Sequence, residues 1–295
     1  MMIAIVAPAG HIGSRLTARL LDAGQKPILL ARNPEKVAAA VKRGATVHQG
    51  DVTDRDFLVE ATKGAKGIFW LTPPNPTAPD FRAYQRHLAE NVAAAIKENQ
   101  IPRVVNISSV GAHLPEGTGP IAGLYDVEQA INGVATNVTH LRPGMFMENT
   151  FYSLQTIKTA NSIFMPISAK VKAPLVATRD IGDAAAEIFL DKNWSGKRVI
   201  HLFGPNELTF AEQALILSRV LERPISHITV SPDQAYQSLT QMGASPDVAK
   251  RYLEMYSAFE KGAPIAGLKN IPERRGATNF ETFVREVFRP ALLGD

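Results

Sequence analysis

Along the first half of the chain, short apolar runs alternate with longer amphipathic ones. Ile3–Ala7 is apolar throughout, and a stretch with Leu16, Leu20 and Leu21 on one face follows it and stops at Gly24. The same alternation predicts strands at Pro27–Ala31, Ala45–Gln49, Gly67–Thr72 and Arg103–Ser108. Helices are predicted near Pro34, after Asp54 and from about Asp80 to Asn99. Strands that are apolar at nearly every position are buried on both faces, as in a parallel sheet covered by crossover helices. Right-handed crossovers then predict a doubly wound α/β sheet, a Rossmann fold.

The second half is less regular. A strand at Asn137–Leu141 runs into Arg142-Pro143-Gly144, an irregular region extends to about Val176, and a helix is expected from Asp180-Ile181. Val199–Phe203 reads as the strand that completes the sheet. Thr209, with Glu212 three residues on, predicts a capping box for a helix that ends before Pro224. Mostly helical chain follows, including Pro246–Lys261 and Phe280–Phe288, while Leu114–Gly123, with three glycines and two prolines, is expected to be a mobile loop. The predicted organisation is a dinucleotide-binding domain of residues 1–145 plus 180–204. A smaller, helix-rich C-terminal substrate or cap domain takes 146–179 plus 205–295.

Composition narrows the chemistry. A chain of 295 residues that is 45% hydrophobic and 20% charged can bury a large core, so disorder is excluded as the dominant state. With no cysteine there can be no disulfide, zinc–thiolate site, iron–sulfur cluster or thiol nucleophile. Lys+Arg number 32 and Asp+Glu 28, a net charge of +4, without a basic run, so nucleic acid is not an expected partner. No apolar run approaches the roughly 18 residues of a membrane span. The apolar start, Met1–Ala9, lacks a basic n-region and leads into a glycine motif, so it reads as a strand and the expected location is cytoplasmic. The seven histidines include no pair at helical ligand spacing, so no metal site is expected, and neither a G-x-S-x-G elbow nor a Walker loop occurs.

The chemistry-bearing motif is Ala7-Pro8-Ala9-Gly10-His11-Ile12-Gly13, between the first strand and the first helix. Gly10 stands where backbone must approach a pyrophosphate and Gly13 where helix packs on strand, and Ala7 replaces the first glycine of the dinucleotide fingerprint. The helix N-terminus offers unpaired N–H groups and a positive dipole to phosphate. At the end of the second strand an acidic residue would bind ribose hydroxyls. The chain has Ala31-Arg32-Asn33-Pro34-Glu35-Lys36 instead, and Arg32 with Lys36 suits a 2′-phosphate, which favours NADP(H) over NAD(H). After the third strand, Asp51 and Val52 are placed to meet an adenine, although Asp51 is also a candidate helix cap, a role that Asp54 could equally fill.

Together with Ile107-Ser108-Ser109-Val110-Gly111 and Leu141-Arg142-Pro143-Gly144-Met145-Phe146-Met147-Glu148-Asn149, these motifs resemble, in order and over the whole chain, the NmrA-like branch of the atypical short-chain dehydrogenase/reductases. That resemblance implies NADP(H) bound by the N-terminal domain and a substrate held against the C-terminal cap. It puts Gly10, His11, Ile12 and Gly13 at the pyrophosphate, Arg32 at the 2′-phosphate and Asp51-Val52 at adenine. Thr72-Pro73 and Ser108-Ser109 would lie beside the nicotinamide ribose, and Pro143-Gly144 near the nicotinamide. The branch includes reductases of quinones, dyes and phenolic compounds and also redox-sensing regulators that act through a protein partner.

One departure bears on catalysis. A tyrosine four residues before a lysine supplies the proton in many reductases, because the lysine charge lowers the phenol pKa. The residues four after the six tyrosines are Leu88, Gln129, Thr156, Thr240, Tyr256 and Glu260. Relatives that carry a lysine four residues before the glutamate matching Glu128 have it where this chain has Leu124. Tyr125 is the nearest candidate acid, with a helix-face aromatic as the alternative. Two functions are therefore expected: an NADPH-dependent reductase of a small conjugated acceptor, quinone-like or aromatic, or a non-enzymatic NADP(H) sensor. Phe146, Met147 and Phe151 would suit a planar acceptor, and core packing accounts for them equally well.

Overall fold

The computed structural model describes residues 1–266, 268 and 273–294. Its first half runs β1 (Ile3–Val6), α1 (His11–Asp22), β2 (Ile28–Ala31), a 3-10 turn (Pro34–Val37), α2 (Ala38–Lys42) and β3 (Thr46–Gln49). Next come α3 (Arg55–Ala61), β4 (Gly67–Leu71), α4 (Phe81–Glu98), β5 (Arg103–Ile107), α5 (Pro120–Val134) and β6 (Asn137–Pro143). The helix expected near Pro34 thus opens as a 3-10 turn, with the Asn33 side chain accepting from Glu35 N–H at 2.9 Å. Pro120–Gly123, expected within a mobile loop, is instead the first turn of α5. Gly123 lies so close to α4 that a Cβ there would sit 1.9 Å from Gln85 Oε1.

The second half adds β7 (Met145–Phe146), a 3-10 segment (Met147–Ser153), α6 (Leu154–Ala160), β8 (Ser162–Met165), β9 (Lys172–Val176), α7 (Thr178–Leu190) and β10 (Lys197–Phe203). It ends with β11 (Glu207–Thr209), α8 (Phe210–Leu221), β12 (Ser226–Thr229), α9 (Pro232–Gln241), α10 (Pro246–Glu260), β13 (Glu273–Arg275), α11 (Phe280–Phe283), a π turn (Val284–Phe288) and α12 (Arg289–Leu293). The capping box predicted at Thr209 and Glu212 is present.

The eight-stranded sheet has the order β13-β10-β6-β5-β4-β1-β2-β3, and all of its pairs are parallel. The order reverses between β1 and β4, so the crevice at their carboxyl ends is the topological switch point. Alternate residues feed two cores. Ile3, Ile5, Leu29, Phe69 and Val105 pack under α1 and α7, while Ala4, Val6, Leu30, Ile68, Trp70 and Val104 pack under α3, α4 and α5. The expected two-sided burial is therefore what holds the sheet.

Several elements have no counterpart among those predicted, β8, β12 and β13 among them. The sheet does not end at β10, because β13 adds an eighth strand in register with it. Its sequence, Glu-Arg-Arg, carries no strand periodicity. What fixes it is tertiary: the Asp180 carboxylate accepts from Thr278 N–H at 2.9 Å and from Thr278 Oγ1 at 2.8 Å, tying the chain after β13 to α7. Likewise β8 and β12, each only four residues, exist as a parallel pair between distant segments. α7 also starts earlier than expected, at Thr178, whose backbone N–H donates to both Glu148 oxygens at 3.1 and 3.0 Å.

Under α5 the sheet carries a buried polar layer. Glu128 Oε1 and Oε2 accept from Arg142 Nε and Nη2 at 2.9 and 2.6 Å, with 2% and 8% side-chain exposure for the glutamate and the arginine. One helical turn on, Asn132 Oδ1 accepts from His140 Nε2 at 3.2 Å, and His140 Nδ1 accepts from Asn106 Nδ2 at 2.9 Å. Burial, with Arg142 nearby, pushes the His140 pKa down to about 4 despite the opposing Glu128 charge. The imidazole is therefore neutral in the folded protein.

Two outcomes follow from this layer. Glu128→Ala strands a buried guanidinium and should lower stability by about 3–5 kcal/mol, read from urea unfolding midpoints at unchanged m-value. Because the folded pKa of His140 lies below its ordinary 6.5, the unfolded chain takes up the proton first. Stability is complete above pH 6.5 and declines as pH falls toward about 4, with up to about 3 kcal/mol from this residue. Urea titrations of wild type and His140→Gln across that window should show the acid sensitivity shrink in the variant; parallel curves would refute the assignment.

Candidate functional site

The turn after β1 is built by backbone packing. Ala7 has φ 53°, a left-handed conformation that favours glycine, and Gly10 N–H donates to its carbonyl at 3.0 Å. A Cβ at Gly13 would stand 2.3 Å from Ala7 O and 3.0 Å from Pro8 Cα, so only glycine lets α1 lie this close to the strand end. Gly10 differs. Its φ is −78°, and a Cβ there would meet only Ala7 O, at an ordinary 3.4 Å. The fold does not require glycine at that position, and the space it keeps open is on the exposed side. No side chain caps α1, so the N–H groups of His11, Ile12 and Gly13 lie at the helix start without helical acceptors. Ile12 is buried in the core and His11 is exposed.

At the end of β2, Arg32 is exposed and makes no ion pair among the described residues, and Lys36 is exposed on the 3-10 turn. Asp51 is not a helix cap: Asp54 caps α3 by accepting from Phe57 N–H at 3.1 Å. Asp51 Oδ1 instead accepts from Thr53 N–H and Oγ1, both at 2.9 Å, which orders the loop after β3. Val52 is buried, and its carbonyl accepts from Asn91 Nδ2 of α4 at 3.1 Å. Burial, reinforced by the Asp51 charge nearby, pushes the Tyr84 phenol pKa up, while Arg32 pulls it down. Arg32, Asp51 and Tyr84 therefore share one end of the sheet.

Beyond the switch point, Thr72 Oγ1 accepts from Trp70 Nε1 at 3.1 Å, which sets the Thr72-Pro73 loop. Ser108 is buried, its N–H donates to Leu141 O at 2.8 Å, and its hydroxyl has no partner among the described residues. Ser109 Oγ donates to Val110 O at 3.1 Å, and Val110 N–H donates to Pro143 O at 2.9 Å. Pro143 and Gly144 are buried; a Cβ at Gly144 would sit 1.9 Å from Pro174 O. The strand ends of β1, β4, β5 and β6 thus present the glycine turn, Thr72-Pro73, Ser108-Ser109 and Pro143-Gly144 along one edge.

Tyr125 is half-buried on α5 and forms no hydrogen bond among the described residues, while its neighbour Asp126 accepts from Arg82 and Arg86 of α4. Met147 and Phe151 belong to the core of the C-terminal part, where Phe151 lies 5.4 Å from the Phe288 ring and 6.2 Å from that of Phe283. Core packing, not an acceptor wall, explains them. Two histidines went unnoticed in the sequence. His201 on β10 pairs in register with Arg142 and stacks 5.7 Å from Phe203, and its pKa and that of His113 are lowered mainly by burial and further by Arg142. No local signal marks His201, because the register of β10 on β6 is what brings it beside Arg142. Among the described residues no cluster of His, Asp or Glu could hold a metal ion, and no helix is long and apolar enough to cross a membrane.

Two relatives match over nearly the full chain. A (4-alkanoyl-5-oxo-2,5-dihydrofuran-3-yl)methyl phosphate reductase of Streptomyces griseus is 29% identical over 276 residues, 93% of each chain. An NAD(P)H azoreductase of Xenophilus azovorans is 27% identical over 288 residues, 96% of this chain and 97% of its own. Among solved structures, the triphenylmethane reductase of Citrobacter sp., complexed with NADP(H), superposes with a TM-score of 0.78 at 21% identity, covering 96% of this chain and 99% of that one. The model of the NmrA-like family matches residues 1–276, and with the two-sided parallel sheet and the glycine turn at its switch point, the chain belongs to the NmrA-like family.

Proposed function

We propose that the protein is an NADP(H)-dependent reductase that delivers hydride to a small conjugated acceptor such as an azo, quinone-like or other aromatic compound. The observation that carries the proposal is the pairing of two features at the carboxyl edge: a turn whose Gly10 is open outward with unpaired N–H groups behind it, and an exposed, unpaired Arg32 where a ribose-binding carboxylate would otherwise stand. Relatives named as reductases of an azo compound and of an alkanoyl-dihydrofuranyl phosphate support that class of chemistry.

In this reading His11, Ile12 and Gly13 receive the pyrophosphate on the α1 dipole, Arg32 with Lys36 receives the 2′-phosphate, and Asp51 and Val52 border the adenine. Thr72, Pro73, Ser108 and Ser109 line the ribose side, and Pro143 with Gly144 sets the floor by the nicotinamide. Residues 1–145 with 180–204, joined by the edge strand β13, act as the dinucleotide-binding part, and the rest of 146–179 and 205–295 as the cap over the acceptor. Bound NADPH supplies the hydride. The protein's part is to hold the donor carbon and the acceptor atom at near-attack distance and to exclude water between them. A conjugated acceptor spreads the incoming charge, so it can draw its proton from solvent without a Tyr–Lys pair. Tyr125 is the side chain to test as an alternative donor.

Purified protein should oxidise NADPH in the presence of azo and quinone acceptors, followed at the NADPH absorbance, with NADH a poorer donor. Arg32→Ala should lower kcat/KM for NADPH by about 10- to 100-fold, the loss of a charge-assisted hydrogen bond, and leave NADH little changed. Binding of NADPH with no oxidation by any acceptor would overturn the reductase reading in favour of a sensor that acts through a protein partner. Gly10→Ala separates site from fold: NADPH affinity measured by calorimetry should drop at least about tenfold, while thermal stability changes by less than about 1 kcal/mol.

A further inference from the structure

We infer that the C-terminal part carries a second ligand site, for an amphipathic anion: a phosphate or carboxylate bearing a short alkyl or acyl chain. The site is a cavity of about 380 Å³ lined by Lys158 of α6, Leu221 and Arg223 at the end of α8, and Arg289, Leu292 and Leu293 of α12. Among the described residues the lining consists of three cations and three leucines, with no carboxylate. None of the three cations is ion-paired among the described residues.

Two carboxylates that precede α12 in the chain are already paired. Glu281 of α11 accepts from Arg219 and from Arg285, the latter at 2.8 Å, and Glu286 accepts from Arg179 at 2.8 Å. α12 itself, Arg289–Leu293, carries no acidic side chain. Among the described residues Arg223 Nη2 is buried without a hydrogen-bond partner, an arrangement that folding alone does not favour. Leu293 leaves much of its side chain in water, although Leu292 beside it is buried. Unneutralised guanidinium groups beside exposed leucine match a ligand with an anionic head and an apolar tail. An oxyanion between Arg223 and Arg289 would supply the missing acceptor and cancel their repulsion, and the tail would cover the leucines. The two head-group sources share this chemistry.

The site lies among α6, α8 and α12, apart from the carboxyl edge that holds the glycine turn, so it does not depend on the cofactor reading. The experiment is calorimetry on protein saturated with NADP⁺, titrated separately with octyl phosphate, octanoate and inorganic phosphate below micelle-forming concentrations. Octyl phosphate or octanoate should bind saturably below about 1 mM. The stronger of the two identifies the head group, and inorganic phosphate should bind at least about tenfold more weakly. Arg223→Ala/Arg289→Ala should weaken the amphiphile by at least about tenfold, and Leu293→Ser should weaken it while leaving phosphate unaffected. Unchanged circular dichroism of the variants controls for folding. Absence of saturable amphiphile binding, equal affinity for inorganic phosphate, or equal binding by the double variant would each overturn the inference.

Discussion

The approach of α1 onto the end of β1 is the constraint on which the rest of this molecule depends. Gly13 lies against the Ala7 carbonyl at a distance no side chain tolerates, and that contact fixes where the helix begins and how it crosses the sheet. From it follow the burial of Ile12, Leu16 and Leu20 against Ile3, Ile5 and Leu29, and the seat of α7 on α1. Gly182 of α7 repeats the device, since a Cβ there would stand 2.8 Å from Arg15 side-chain atoms and 3.0 Å from Ile12 O. Arg15 then forks onto Asp183 at 2.8 and 2.9 Å. Because these groups are partly exposed, packing carries most of the energy and the ion pair mainly fixes register.

The same contact has a consequence for the site. A helix held so closely at its first turn cannot shift its N-terminus, so its unpaired N–H groups are presented at the switch point before any ligand arrives. Gly13 satisfies the fold and Gly10 leaves room outside it, so two glycines three residues apart serve different parts of the problem.

On the other side of the sheet, stability is handled with polar groups. α5 covers β5 and β6 through Glu128 and Asn132, spaced four residues apart, which meet Arg142 and His140 two residues apart on β6. The layer rewards a single register, because a slip of one residue on β6 would turn both partners to the opposite face. It leads along β6 to Pro143 and Gly144, so the register of a strand that ends at the candidate site is fixed by this layer.

Local sequence determined much of this protein. Apolar runs of four to six residues between amphipathic stretches are a periodic signal, and they marked seven strands of the large sheet, its two-sided burial, the glycine turn, Arg32 and the Thr209 capping box. Those features rest on neighbours in the chain. Tertiary structure decided the rest. β13 is a charged tripeptide made a strand by β10 and by Asp180; β8 and β12 exist because each supplies the other's backbone partners. Met147 and Phe151 became core once Phe283 and Phe288 closed on them from the far end of the chain. Likewise His201 beside Arg142, and the cationic cavity of Lys158, Arg223 and Arg289, join residues from segments far apart in sequence. Periodicity reports which face a residue turns inward, but only the folded chain decides what meets it there.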